Sequence, residues 1–173
     1  MGDRQQTHQD DGDAEAVVFV CAACDSVLTA PLAPLPAVPE PPYYEWWNAE
    51  HPGPSPATIS AGRYAVETEP YGAPLVVSAT PGVEVMPRHG PMSDGQGQML
   101  VSRGPRGNIV VDPADARGLE LRHVSAACCG ATPYGGMNQA CAACGTLVAT
   151  LCSDCCLPHE LHFSAGHVRG VRP

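Results

Sequence analysis

The phrase Cys-Ala-Ala-Cys occurs twice in this chain, as Cys21–Cys24 and as Cys141–Cys144. Each copy runs at once into a β-prone stretch, Val27–Thr29 after the first and Thr146–Leu151 after the second. A C-x-x-C turn aims two sulfurs at one point, and a closed tetrahedral ion needs two such turns converging from different directions. The repeat therefore predicts one Zn²⁺ held by Cys21, Cys24, Cys141 and Cys144. That site brings two distant parts of the chain together and excludes every fold that keeps them apart. A competing arrangement pairs Cys128 or Cys129 with Cys141 and Cys144 across a short loop. It leaves Cys21 and Cys24 without partners.

The rest of the chain is cut too finely for long helices. It holds 18 Gly and 19 Pro in 173 residues, and its aromatic fraction is only 5%. Short apolar runs between such breakers read as strands and loops. The expected fold class is mainly β: antiparallel sheets, loop-rich, stapled by a zinc-ribbon-like Cys₄ site. Strands are expected at Ala16–Val20, Arg63–Glu67, Leu75–Ala79, Val83–Met86, Met99–Ser102, Ile109–Asp112, Leu119–Val124, Thr146–Leu151 and Glu160–Phe163. Asp112-Pro113 through Gly118 carries helical punctuation for about one and a half turns. The expected organisation is an acidic, disordered tail over 1–15, one zinc-stapled β domain over 16–168, and a short Arg-containing tail over 169–173. Within the domain, 31–56 is a Pro-rich loop in polyproline II or irregular coil. Arg88–Gly97 reads as a mobile loop.

Charge narrows the function. The formal net charge is −9, and all nine basic residues are Arg. An acidic surface without a basic patch is repelled by phosphate, so no nucleic-acid partner is expected. No apolar stretch reaches transmembrane length and no signal peptide opens the chain, so no membrane is expected and the assignment is cytoplasmic. In a reducing compartment, nine cysteines with C-x-x-C spacing favour metal over disulfides.

Other residues stand out. Cys128, Cys129, Cys152, Cys155 and Cys156, with His159 or His162, are candidates for a second cluster: a second metal, a disulfide or buried thiols. An extended Thr146–Leu151 would carry the later cysteines roughly 20 Å from the first site. Tyr43, Tyr44, Trp46 and Trp47 lie in the Pro-rich loop and are candidates to contact a protein or small-molecule partner. No catalytic constellation is assigned. His159-Glu160-Leu161-His162 departs from H-E-x-x-H because its second His comes one residue early. No His is followed two residues later by Glu, as a zinc deaminase requires. The histidines at 8, 51, 89, 123 and 167 are read as ordinary surface or core residues. The expected function is a zinc-binding β module that binds a protein or ligand, with the metal structural. A thiol-dependent enzyme using Cys128/Cys129 and Cys152/Cys155/Cys156 is the alternative.

The stretches FVCAACDSVLTAPL, AGRYAVETEP, GNIVVDPADARG and CCG…N…CAACGTLVAT…DC resemble an uncharacterised family of small, Cys-rich actinobacterial proteins. The likeness spans Val17 to Val168 and includes Cys21, Cys24, Cys128, Cys129, Cys141, Cys144, Asp154 and Cys155. Cys152, Cys156 and the loop Ala131–Asn138 depart from that pattern. The two knuckles alone are also similar to β-tent domains, such as the Yippee and thalidomide-binding domains and methionine sulfoxide reductase B. That resemblance implies one zinc joining two knuckles on antiparallel sheets.

Overall fold

The structure, a computed structural model, describes residues 15–48, 50, 53–123 and 127–173. The expected acidic tail, His8 and His51 lie outside these residues, apart from Glu15, which pairs with Arg172 at 3.1 Å. Among the described residues the regular structure is strands and short 3₁₀ turns.

Seven strands form the main sheet: β2 (Ala33–Pro34), β3 (Arg63–Glu67), β6 (Asn108–Val111), β7 (Leu119–Leu121), β8 (Gln139–Cys141), β9 (Leu147–Cys152) and β10 (Glu160–Phe163). Their order is β2-β3-β6-β10-β9-β8-β7. Only β2 and β3 run parallel; the other pairs are antiparallel. Two smaller sheets pair β1 (Val18–Cys21) with β11 (Val168–Val171), and β4 (Leu75–Val77) with β5 (Leu100–Ser102).

The central strand β10 organises the interior. It is buried along its whole length, and its side chains alternate between the two faces of the sheet. Leu161 and Phe163 join Phe19, Leu28, Val148 and Val168 in the main core, which packs the β1–β11 ribbon on the large sheet. Burying one such side chain contributes roughly 1.5–3 kcal/mol. Glu160 and His162 point the other way, towards a lobe that carries Tyr71, Arg88 and His89.

Several expectations need correction. The tail over 169–173 is largely strand: Val168–Val171 pairs with Val18–Cys21 along its full length. It fills the edge of a hairpin that would otherwise expose unpaired amides. Val83–Met86 is not a strand but is tied by single contacts, the Glu84–Pro91 bridge and the bond from Ser102 N to Val85 O at 2.6 Å. The stretch Arg88–Gly97 is anchored at its start, where Arg88 carries buried ion pairs and His89 is 1% exposed. The helical punctuation at Asp112 shrinks to a 3₁₀ turn over Pro113–Asp115, capped by the Asp112 carboxylate on Ala114 N.

Candidate metal centres and the adjoining cleft

The two knuckles have the same construction. In the first, Cys21 N donates to Ser26 O at 2.9 Å and Asp25 N donates to Cys21 O at 2.9 Å. In the second, Cys141 N donates to Thr146 O at 2.8 Å and Gly145 N donates to Cys141 O at 2.8 Å. Each turn closes through a left-handed residue, Asp25 at φ 61° and Gly145 at φ 74°. Each also leans on a neighbouring strand through the residue after its first cysteine: Ala22 N donates to His167 O, and Ala142 N donates to Gly118 O. One hairpin thus rests on β11 and the other on β7.

The turns face each other. Cys21 Sγ lies 3.7 Å from Cys144 Sγ, and Cys24 Sγ lies 3.6 Å from Cys141 Sγ. All four sulfurs fall within 4.8 Å of one another, so the group can hold a metal ion. Cys21 and Cys141 are buried against the main core, while Cys24 and Cys144 sit at the surface. Burial pushes the Cys21 thiol up to about 11. The Thr146 hydroxyl, at 3.3 Å, and the Thr146 amide draw the Cys144 thiol down to about 6. Ser26 stands in the same relation to Cys24, also at 3.3 Å.

A second group gathers at the opposite end of β9. Cys129, Asp154 and Cys155 bring their ligand atoms within 4.8 Å of one another, so this group too can hold a metal ion. Asp154 is its anchor. One carboxylate oxygen accepts from Cys128 N at 2.8 Å and Cys129 N at 3.1 Å; the other accepts from Cys156 N at 3.1 Å. Burial alone would favour the neutral acid, but these amides outweigh it and hold the carboxyl below its usual value. Cys155 N donates to Cys129 Sγ at 2.9 Å, and Cys155 Sγ lies 3.7 Å from Cys156 Sγ. The two segments are zipped by Ser153 N to Ala131 O at 2.9 Å and Ala131 N to Ser153 Oγ at 3.0 Å. Gly130 makes this approach feasible: a Cβ there would lie 2.3 Å from Ser153 O.

Cys152, His159 and His162, also considered for this cluster, lie elsewhere. Cys152 sits opposite Glu160 in the β9–β10 register and faces Tyr71; burial pushes its thiol strongly up. His159 uses its Nδ1 on Ser55 O at 3.0 Å. That contact, with Ser55 Oγ on Leu157 O and Thr58 N on His159 O, stitches the end of the Pro-rich segment beside Leu157–His159. The result is a cleft of about 270 Å³ next to the second cysteine group. Pro41, Pro42, Tyr43, Tyr44 and Trp46 form one wall, and Arg88, Cys155 and Cys156 belong to the other. Trp47 packs edge-on against Trp46, with centroids 5.8 Å apart, and remains 59% exposed.

Beneath this cleft lies a buried charge network that motif reading missed. Arg88 donates through Nε and Nη2 to Glu160, at 2.9 and 3.1 Å, and through Nη1 to Glu67 at 2.7 Å. Glu160 is also bonded to His162 Nε2 at 2.6 Å. Tyr71 stacks on His162 with ring centroids 3.5 Å apart, and its hydroxyl meets His89 Nε2 at 3.2 Å. The usable signal was the strand alternation of Glu160 and His162, polar residues on one face of an otherwise apolar run. A comparison with family models, curated proteins and solved structures finds no match for this chain.

Proposed function

We propose that this protein is a zinc-stapled β module, cytoplasmic, which binds a protein or small-molecule ligand in the cleft beneath its aromatic loop. One observation carries the zinc reading: the sulfur spacing. Four sulfurs around an ion at a Zn–S distance of about 2.3 Å form a tetrahedron with edges of about 3.8 Å. The two short contacts between the knuckles, 3.7 and 3.6 Å, fit that figure. Four thiolates leave no coordination position for substrate, so the ion acts by linking the β1 and β8–β9 hairpins. The same pairing of knuckles supports the likeness to β-tent zinc proteins. The binding reading is supported by the exposed Trp47 and Tyr43 and by the concavity that Trp46 and Tyr44 help to wall.

The test has two parts. Elemental analysis of the purified protein should find zinc, and Cys21→Ser with Cys141→Ser should abolish both that zinc and the cooperative unfolding transition. An intact fold in the double variant, with its zinc lost, would rule out a structural ion. For the cleft, an anionic naphthalene dye should bind the zinc-loaded protein. Trp46→Ala should weaken that binding without changing the metal content; unchanged dye binding would remove the cleft from the reading.

A further inference from the structure

The geometry points to a second, open metal site: Cys129, Asp154 and Cys155 hold a thiophilic divalent ion of the zinc class, whose remaining ligand comes from the aromatic cleft. It rests on the binding reading above only for the source of that last ligand.

The donor set is built rather than incidental. Asp154 is 4% exposed, and it draws the amides of Cys128, Cys129 and Cys156 onto its two oxygens. That fixes both cysteine pairs around one point. Oδ1 accepts from the Cys156 amide at 3.1 Å and, at 3.9 Å, from the Cys155 thiol; an ion that replaces that thiol proton takes its place between Cys155 Sγ and Oδ1. The bond from Cys155 N to Cys129 Sγ at 2.9 Å offsets charge on the sulfur, as backbone amides do in metal knuckles. The close approach at Gly130 admits no side chain, so the backbone itself is shaped to bring Cys129 to Cys155.

The site differs from the four-thiolate centre in what it offers. Two sulfurs and one carboxylate oxygen give three protein ligands, the number at which zinc sites keep a position for water or substrate. Cys155 belongs both to this group and to the wall of the cleft with Tyr43, Tyr44 and Trp46. An ion bound by Cys155 therefore borders the cleft, and a small donor lodged among the aromatics reaches it. A thiol, a carboxylate or a water fits that role. Cys156 lines the cleft and lies 3.7 Å from Cys155 Sγ, yet it falls outside the group of mutually close ligands.

Cobalt titration of the reduced, metal-free full-length protein tests this. Wild type should take up two equivalents. One should show the strong charge-transfer band of four thiolates. The other should show a weaker band, quench the Trp46 fluorescence, and shift its visible bands when a small monothiol is added. Cys129→Ser, a surface change, should delete the second equivalent alone, and Cys156→Ser should retain it. A single equivalent in wild type, or a second one that survives Cys129→Ser, overturns the proposal. Cys129→Ser should keep the four-thiolate band and the cooperative unfolding transition, whereas Cys21→Ser with Cys141→Ser should lose both, so the two readings fail separately.

Discussion

Arg88 is the residue whose replacement most directly tests the buried network. Its guanidinium lies between Glu160, side chain fully buried, and Glu67, side chain 7% exposed, and is itself 9% exposed. Met in its place keeps the apolar stem and the left-handed backbone at φ 63°, so the change isolates the charge. Breaking a buried pair by removing one partner costs about 3–5 kcal/mol. Glu160 keeps its bond to His162 at 2.6 Å, which places Arg88→Met near the lower end, about 3 kcal/mol. For a chain of this size that is a fall in Tm of roughly 6–12 °C. The pH dependence is diagnostic. In the wild type, burial works to raise the Glu160 carboxyl, but His162 and Arg88 overcome it and hold the group far below its usual value. Its contribution is present above the ordinary carboxylate range and is lost only as pH falls through the depressed folded value, in strong acid. Without the guanidinium, burial meets less opposition and Glu160 takes up a proton at higher pH. The cost of Arg88→Met should therefore shrink between pH 7 and pH 5. Urea unfolding of both proteins at the two pH values, with metal retained, measures it. A cost below about 1 kcal/mol, or one that grows on acidification, would refute the assignment of this network as a tightly paired charge cluster.

Four further outcomes are expected. Burial holds the His89 imidazole down at about 4, against an ordinary 6.5, so the unfolded chain takes up that proton first and stability should fall as pH drops from about 6.5 to about 4. His89→Asn should flatten that limb of the stability curve by up to roughly 3 kcal/mol, read by denaturant titration across the range. Gly130→Ala places a Cβ 2.3 Å from the Ser153 carbonyl, so it should separate Cys129 from Cys155 and remove the weaker cobalt band while leaving the four-thiolate band intact. Metal removal by a strong chelator should abolish cooperative unfolding seen by circular dichroism, because structural zinc contributes about 10–16 kcal/mol against a typical total stability of 5–15. Truncation after His167 removes β11, and zinc affinity measured by competition with a chromophoric chelator should drop as the β1 knuckle loses its supporting strand.

What the sequence made legible was whatever local pattern determines. The repeated Cys-Ala-Ala-Cys signalled that four sulfurs come within 4.8 Å of one another, because knuckle geometry is fixed by a few consecutive residues. Arg63–Glu67 and Glu160–Phe163 are strands to the residue, each bounded by clear changes in pattern. Val168–Val171 was hidden because two charged or flexible residues, Arg169 and Gly170, mask a strand whose partner lies at the other end of the chain. Arg88 was hidden in the same way. Gly, Pro and Ser around it signal a loop, and its two carboxylate partners come from β3 and β10. Cys152 illustrates a subtler limit. Proximity in sequence grouped it with Cys155 and Cys156, but the alternation of β9 turns it towards Tyr71 and Glu160.

These features meet in one strand. Leu161 and Phe163 hold β10 to the core behind the four-cysteine group, while Glu160 and His162 hold it to Arg88 and Tyr71 beneath the cleft. Immediately before it, the chain from Cys152 to His159 carries the second cysteine group and the contacts that place the Pro-rich segment. On the zinc reading proposed above, an ion held by the four cysteines would do more than close a hairpin end. By fixing the β8–β9 hairpin, it would fix the strand register on which β10 is paired, and through Glu160 the position of Arg88. On that reading the cleft would be placed through the four-cysteine group, even though no cysteine of that group lines it.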